Sequence, residues 1–273
     1  MWVFSAKTTD EAVARMAEGC IALAGGTVLV PKIVRGEYER TTFVDIRRLS
    51  GLKEITTSEN GIQIGSAVTL NHLVARLKLP EFDRALTEAA AAVGNPHVRN
   101  IATIAGNLTS GLAGADLPTA LLALGAEITH QGSDGEQSHP VAETMQRGLA
   151  SGRLITSIRL PRNSQQVSGF AKFAWRRSSG KTIVNVAMAL SLRDGRINAA
   201  TLAVGGTGPH AVRLPQAESM LSHQALTRKL AEEVAATAAN EVTFTTAHST
   251  REHYRRRLVA AGVREIMTKL GAS

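Results

Sequence analysis

Residues 94–128 read GNPHVRNIATIAGNLTSGLAGADLPTALLALGAEI. Over 94–118 charge is scarce, and apolar positions alternate with Thr, Asn and Asp among many Gly and Ala. If such a stretch is buried, its polar groups need partners, and a bound polar ligand is one way to supply them. A Gly/Ala-rich turn packed beneath a helix is the other. Leu117 to Ala126 is an apolar helix or buried run, and Ile128 begins a strand that ends in the loop Gly132-Ser133-Asp134-Gly135. Upstream, ALAGGTVLVP at 22–31 runs an apolar segment into Gly25-Gly26-Thr27. Two residues free to take positive φ, followed by a hydroxyl, let consecutive backbone N–H groups point at one anion. Two such turns in one α/β region can grip a diphosphate between them.

Outward from these turns the pattern mixes helix and short strand. Residues 9–19 read as a helix capped by Thr9 or Asp10 and ended by Gly19. Ile21–Ala24 and Thr42–Ile46 read as short strands, and Asn60-Gly61 as a hairpin turn between Ile55 and Ile62–Gly65. Helices are expected over 69–77 and 82–93. Leu154–Leu160 is a strand stopped by Pro161, and 162–168 (RNSQQVS) is a polar connection. The boundary placed there gives domains 1–163, with subdomains of about 1–52 and 53–163, and 169–273. In the second domain Gly169–Arg177, Val184–Arg193 and Ala199–Gly205 alternate like three strands, with Asp194-Gly195 as a hairpin turn. Helical patterns over 227–241 and 251–270 follow, so the class is α+β.

At 273 residues, 44% hydrophobic and 20% charged, the composition is that of a globular protein rather than a disordered or membrane-embedded one. Aromatics at 4% leave few platforms for stacking single-stranded nucleic acid. The one cysteine, Cys20, excludes an internal disulfide and a protein-only thiolate cluster, and it is expected buried beside the first glycine turn. No stretch approaches the ~20 apolar residues of a spanning helix, and no signal peptide opens the chain, so a cytoplasmic protein is expected. The net charge of +8 is uneven: no acid lies between Glu143 and Asp194, against nine bases. That stretch suits an anionic partner or is a solvated face. Arg255-Arg256-Arg257 reads as solvated surface, and Asp45 as a strand-end residue. There is no G-x-G-x-x-G, Walker A loop, metal-ligand cluster or G-x-S-x-G nucleophile. Neither catalytic nor metal-binding residues are expected.

Taken together, ALAGGTVLVP (22–31), FVDIRRLSGLKEI (43–55), IGSAVT (64–69), the 94–128 block, ITSIRLP (155–161), KFAWRRSSGKTIVNVAMAL (172–190) and AVGGTGPHAVRLPQAESML (203–221) resemble the FAD-binding (medium) subunit of the molybdenum hydroxylases. That group includes xanthine dehydrogenase and aerobic carbon monoxide dehydrogenase. The resemblance implies the two-subdomain FAD fold shared with vanillyl-alcohol oxidase (PCMH type), followed by a smaller α+β domain with a three-stranded antiparallel sheet. It implies FAD contacts at Ala24, Gly25, Gly26, Thr27 and Val28 in the first turn. In the second turn it implies Thr103, Ile104, Ala105, Gly106 and Asn107, with Asp116, Ile155 and Lys172 beyond. It further implies an oxidoreductase subunit that takes electrons from [2Fe–2S] clusters on an iron–sulfur small subunit. Those clusters are fed by a molybdopterin-binding large subunit, and the electrons leave for NAD+ or another acceptor. The basic stretch would then dock an acidic iron–sulfur subunit or hold the flavin's negative charge. Two positions depart from the family pattern. Val28 stands where many relatives have Asp, and Ala105 where many have Gly. If position 105 needs positive φ, alanine costs about 1 kcal/mol or more there. The alternatives are a stand-alone flavin reductase or oxidase of the same fold, a family member that binds no flavin, and a nucleic-acid-binding module.

Overall fold

The computed structural model describes residues 2–38, 41–76, 83–161, 165–176, 181–245 and 251–272. In chain order the elements begin with β1 (Trp2–Ser5), α1 (Thr9–Ala17), β2 (Ile21–Leu23), α2 (Leu29–Val34), β3 (Thr42–Asp45), β4 (Ile55–Ser58) and β5 (Gly61–Gly65). Then come α3 (Leu70–Ala75), α4 (Arg84–Ala92), α5 (Pro96–Arg99), α6 (Ile104–Leu108) and α7 (Asp116–Ala123). After them lie β6 (Glu127–Gly132), β7 (Gly135–Pro140), α8 (Val141–Arg147), β8 (Leu154–Pro161), β9 (Gln166–Ala174), β10 (Thr182–Arg193) and β11 (Arg196–Gly205). The chain closes with β12 (Val212–Arg213), α9 (Pro215–Leu221), α10 (Arg228–Glu241) and α11 (Glu252–Lys269). The expected helix ends at Leu77 and Phe82, and residues 162–164 of the polar connection, lie outside the described residues.

The chain divides into two compact units. The first gathers Met1–His72, Pro96–Ser110 and Ala126–Arg162, and the second gathers Leu73–Asn95, Gly111–Gly125 and Asn163–Ser273.

The first unit holds two sheets. Strands β1, β3 and β2 form a parallel sheet in that order; α1 links the two outer strands β1 and β2, and α2 lies in the crossover between the parallel neighbours β2 and β3. Thr8, one residue before the expected cap, caps α1 by accepting the Glu11 N–H at 3.1 Å. Ala12 and Val13 of α1 join Val44, Ile46, Leu52 and Leu154 in the core. Fully burying an aliphatic side chain of that size contributes about 1.5–3 kcal/mol. Cys20 is half-buried against this core rather than fully enclosed. The other sheet is antiparallel, in the order β4-β5-β8-β6-β7, with hairpins at Asn60-Gly61 and at 132–135. Asp45 ends β3 by accepting the backbone N–H of Arg47 and both arms of its guanidinium, which hold the carboxyl below its usual range against the opposing effect of burial.

In the second unit β9, β10 and β11 are the three expected antiparallel strands, and β12 adds a two-residue fourth at the edge. Gln166–Ser168 belongs to β9 instead of the connection before it. Helices α9 to α11 bury Leu221, Val234, Val263 and Ile266 against Val186, Met188, Leu202 and Val204. Arg255 corrects the surface reading of the triple arginine. It is 2% exposed, because it sits four residues before Val259 on the inner face of α11. Its guanidinium donates to the Gly206 carbonyl and lies over the Phe244 ring.

Five of the nine bases of the acid-free stretch pair with carboxylates outside it, and Arg162 and Arg177 lie outside the described residues. Arg147 pairs with Glu143, Arg153 with Asp134, Arg159 with Glu127, Lys172 with Asp116 and Arg193 with Asp194. Among the described residues no helix is long and apolar enough to cross a membrane.

Candidate functional site

The first glycine turn joins β2 to α2 within the first unit. A Cβ on Gly25 would lie 2.0 Å from the Ile101 carbonyl oxygen, so only glycine permits this backbone approach. Gly26 has φ +69°. The carbonyls of Gly26 and Val28 accept from Val30 and Lys32 as α2 begins. The N–H groups of Gly25, Gly26, Thr27 and Val28 have no acceptor among the described residues. Val28 opens α2 with no side-chain cap, and no acid stands in the first turn of that helix. Four consecutive half-buried donors without an acceptor form a concentrated positive dipole that an anion can satisfy.

The second turn is built differently. The Thr103 hydroxyl caps α6 by accepting the Gly106 N–H at 3.1 Å, and the Thr103 carbonyl accepts from Asn107 at 2.9 Å. Ile104 N–H donates to Val68 and Ala105 N–H to Ser66. Every amide from Ile104 to Asn107 is therefore engaged within the chain. Ala105 lies inside α6, and the only non-glycine residues with positive φ among those described are Asp194 and His223. Alanine at 105 thus carries no left-handed penalty.

Strand β8 supplies a third wall. Thr129 of β6 faces Ser157 and His130 faces Ile155, which leaves Thr156 as the extra residue of a bulge. The freed Thr156 carbonyl accepts from Ser66 N–H at 3.0 Å. The Ser66 hydroxyl is buried with no partner, in a residue 2% exposed. Just before β8, Arg153 pairs with Asp134 and donates from Nη1 to His130 Nδ1 at 3.2 Å. A guanidinium only donates, so this His130 nitrogen accepts and its ring proton sits on Nε2. Burial first, then the Arg153 charge and the stacked His139 ring, lower the His130 pKa and keep the ring neutral.

These walls enclose a cleft of about 340 Å³. Of the eleven expected contacts in this unit, nine line it: Ala24, Gly25, Gly26, Thr27, Val28, Thr103, Ala105, Gly106 and Ile155. Ile104 is fully buried, with its side chain in the core, and Asn107 is not part of the lining. Asp116 and Lys172 belong to the second unit, where they pair at 2.6 Å. Asn185 and Thr182 also donate to the Asp116 carboxylate, and Lys172 donates to the Ala92 carbonyl. Burial pushes the Asp116 carboxyl up, against the pull of Lys172 and these hydrogen bonds. Sequence reasoning missed Ser66, Lys32 and Arg153, which also line the cleft. Among the described residues the lining contains these two cations and no carboxylate.

Unpaired amides and cations without a competing acid suit a diphosphate, the shared feature of proteins that carry a dinucleotide cofactor. Residues 1–163 match the family described as the FAD binding domain in molybdopterin dehydrogenase, and residues 170–270 match the CO dehydrogenase flavoprotein C-terminal domain. The chain belongs to that family: it is an FAD-binding medium subunit of the molybdenum hydroxylases, and an oxidoreductase subunit. The four free amides and the unpartnered Ser66 hydroxyl fit FAD.

The chain is 32% identical to the 6-hydroxypseudooxynicotine dehydrogenase complex subunit alpha of Paenarthrobacter nicotinovorans, covering 79% of this chain and 76% of the relative. It is 26% identical to the nicotine 6-hydroxylase medium subunit of the same organism, over 92% and 89% of the two chains. Among solved structures, quinoline 2-oxidoreductase from Pseudomonas putida 86 superposes with a TM-score of 0.90 at 23% identity, covering 98% of this chain and 96% of that one. Carbon monoxide dehydrogenase from Hydrogenophaga pseudoflava gives 0.88 at 22% identity, with the same coverage. At those identities the structural likeness speaks for the fold.

Proposed function

We propose that this chain relays electrons through FAD within a molybdenum hydroxylase complex. One observation carries the reading: among the described residues, Gly25 to Val28 present four N–H groups without an acceptor in a cleft whose lining holds no carboxylate. FAD, when bound, supplies the redox chemistry at its flavin. The chain's own residues hold and shape. Gly25 to Val28 take the diphosphate, Thr103 to Gly106 form the facing wall, and the Ile155 backbone lines the flavin side. Asp116 and Lys172 enter the reading through the resemblance. Their buried ion pair fixes each of them within the second unit.

Electrons arrive, on this reading, from [2Fe–2S] clusters of an iron–sulfur small subunit. A molybdopterin-binding large subunit feeds those clusters, and the acceptor is NAD+ or another oxidant. The dehydrogenase complex and the nicotine hydroxylase among the relatives support this arrangement. The cytoplasm is the proposed compartment. Lys32, Tyr38 and Arg153 are the titratable side chains in the described lining, and a relay of electrons needs no further acid or base from this chain.

The full chain incubated with FAD and desalted should stay yellow at one flavin per chain and release FAD on acid denaturation. A folded, colourless protein overturns FAD binding by this chain. In a complex assembled with its partner subunits, substrate should bleach the flavin absorbance. Turnover with the flavin still oxidised would remove the chain from the electron path.

A further inference from the structure

The two cations in the described lining of the cleft are not equivalent. Arg153 is engaged by Asp134 and His130, so much of its charge is already met. Lys32 is half-buried in the lining and has no ion-pair partner among the described residues. Its neighbours one turn away along α2 are Val28, Leu29, Arg35 and Gly36, so the helix offers it no acid. Glu37, the nearest described carboxylate in sequence, is taken by Arg35. The same cleft holds the Ser66 hydroxyl, 2% exposed and likewise unpartnered.

We infer that Lys32 supplies the ionic contact to the diphosphate of the bound dinucleotide, alongside the amides of the first turn. The inference rests on the FAD reading and extends it to a residue outside both glycine turns. An ammonium facing a diphosphate makes a charge-assisted contact whose strength falls as salt screens it. The apolar Val28 matters here, because an acid at that position would stand four residues before Lys32 and compete for it.

The test is FAD affinity of the full chain, read by quenching of flavin fluorescence at low and high salt. Wild type is compared with Lys32→Met and Lys32→Arg. Wild type should bind FAD more weakly as salt rises. Lys32→Met should lose about tenfold in affinity at low salt and most of the salt dependence. Lys32→Arg should keep both within a few fold. Thermal unfolding of the FAD-free variants should match wild type, since the Lys32 backbone bonds to Val28 and Glu37 are kept and its side chain has no hydrogen-bond or ion-pair partner among the described residues. Lys32→Met with wild-type affinity, or with lower affinity and an undiminished salt slope, overturns the inference. Wild type that binds no FAD at all overturns the FAD reading itself.

Discussion

The two glycine turns of the first unit look alike in sequence and differ in chemistry. Ala24–Val28 and Thr103–Asn107 are both short runs rich in small residues with one threonine, and both contribute residues to one cleft. The first follows a strand of a parallel sheet and opens a helix with no side-chain cap, so its amides have no acceptor among the described residues. The second carries its own cap in Thr103 and lies against Ser66 and Val68, so its amides are engaged before any ligand arrives. One turn is a donor array and the other is a wall. Small-residue composition marks where a backbone can come close to a ligand. Only the hydrogen-bond accounting says which turn has donors left to give.

Gly25→Ala should have the largest effect, because it strikes the contact between the first turn and the segment that leads into the second. The new Cβ would meet the Ile101 carbonyl oxygen at 2.0 Å and its carbon at 2.7 Å. Both are backbone atoms of the segment that leads into the second turn. Neither can move without disturbing that turn, so a loss of about 3 kcal/mol or more is expected, together with FAD binding. Denaturant unfolding and retention of yellow colour after desalting check the two parts. A Gly25→Ala protein of wild-type stability that retains FAD would show that the turns are not held in the contact described.

Much of the framework was legible because it rests on local rules. Asn60-Gly61 and Asp194-Gly195 announced their hairpins through turn chemistry, and β9 to β11 through alternation. The helices 228–241 and 252–269 followed from their periodicity. What stayed hidden depends on partners far away in sequence. Trp2 and Val3 form an exposed edge strand whose pairing with Thr42 and Phe43 no local signal gives. Arg255 lies in an arginine run and is nevertheless buried, because helix geometry turns it inward. Ser66 sat in a quoted motif, but its unpartnered state is created by Thr156 and Ala105, which engage its backbone and leave the hydroxyl alone. The site was therefore readable as two turns and not as a cleft that β8 closes and that holds Lys32, a cation without an ion-pair partner among the described residues.

Thr103→Ala removes the internal cap of the second turn at smaller cost. Removing the hydroxyl deprives the Gly106 N–H of its acceptor and α6 of its cap, which should destabilise the protein by about 1 kcal/mol. FAD affinity should change by less than about threefold, because the neighbouring amides keep Val68, Ser66 and the Thr103 carbonyl as partners. Thermal melts and FAD titration separate the two effects. A loss of affinity as large as that expected on removing Lys32 would mean the second turn also contributes donors, and the distinction between the turns would fail.

Ser66→Ala should have the smallest effect and the most telling sign. The backbone N–H and carbonyl of Ser66 keep Thr156 and Ala105 whatever the side chain, so the substitution removes only the unpartnered hydroxyl. Burying a hydroxyl without a partner is unfavourable, so the FAD-free protein should gain up to about 1 kcal/mol. If that hydroxyl is held in reserve for the cofactor, the same change should weaken FAD binding by a few fold. Stability rising while affinity falls is the signature of a group placed for a ligand, since a structural hydroxyl would move both the same way. A parallel fall in unfolding midpoint and FAD affinity would return Ser66 to the scaffold and leave recognition to the first turn and Lys32.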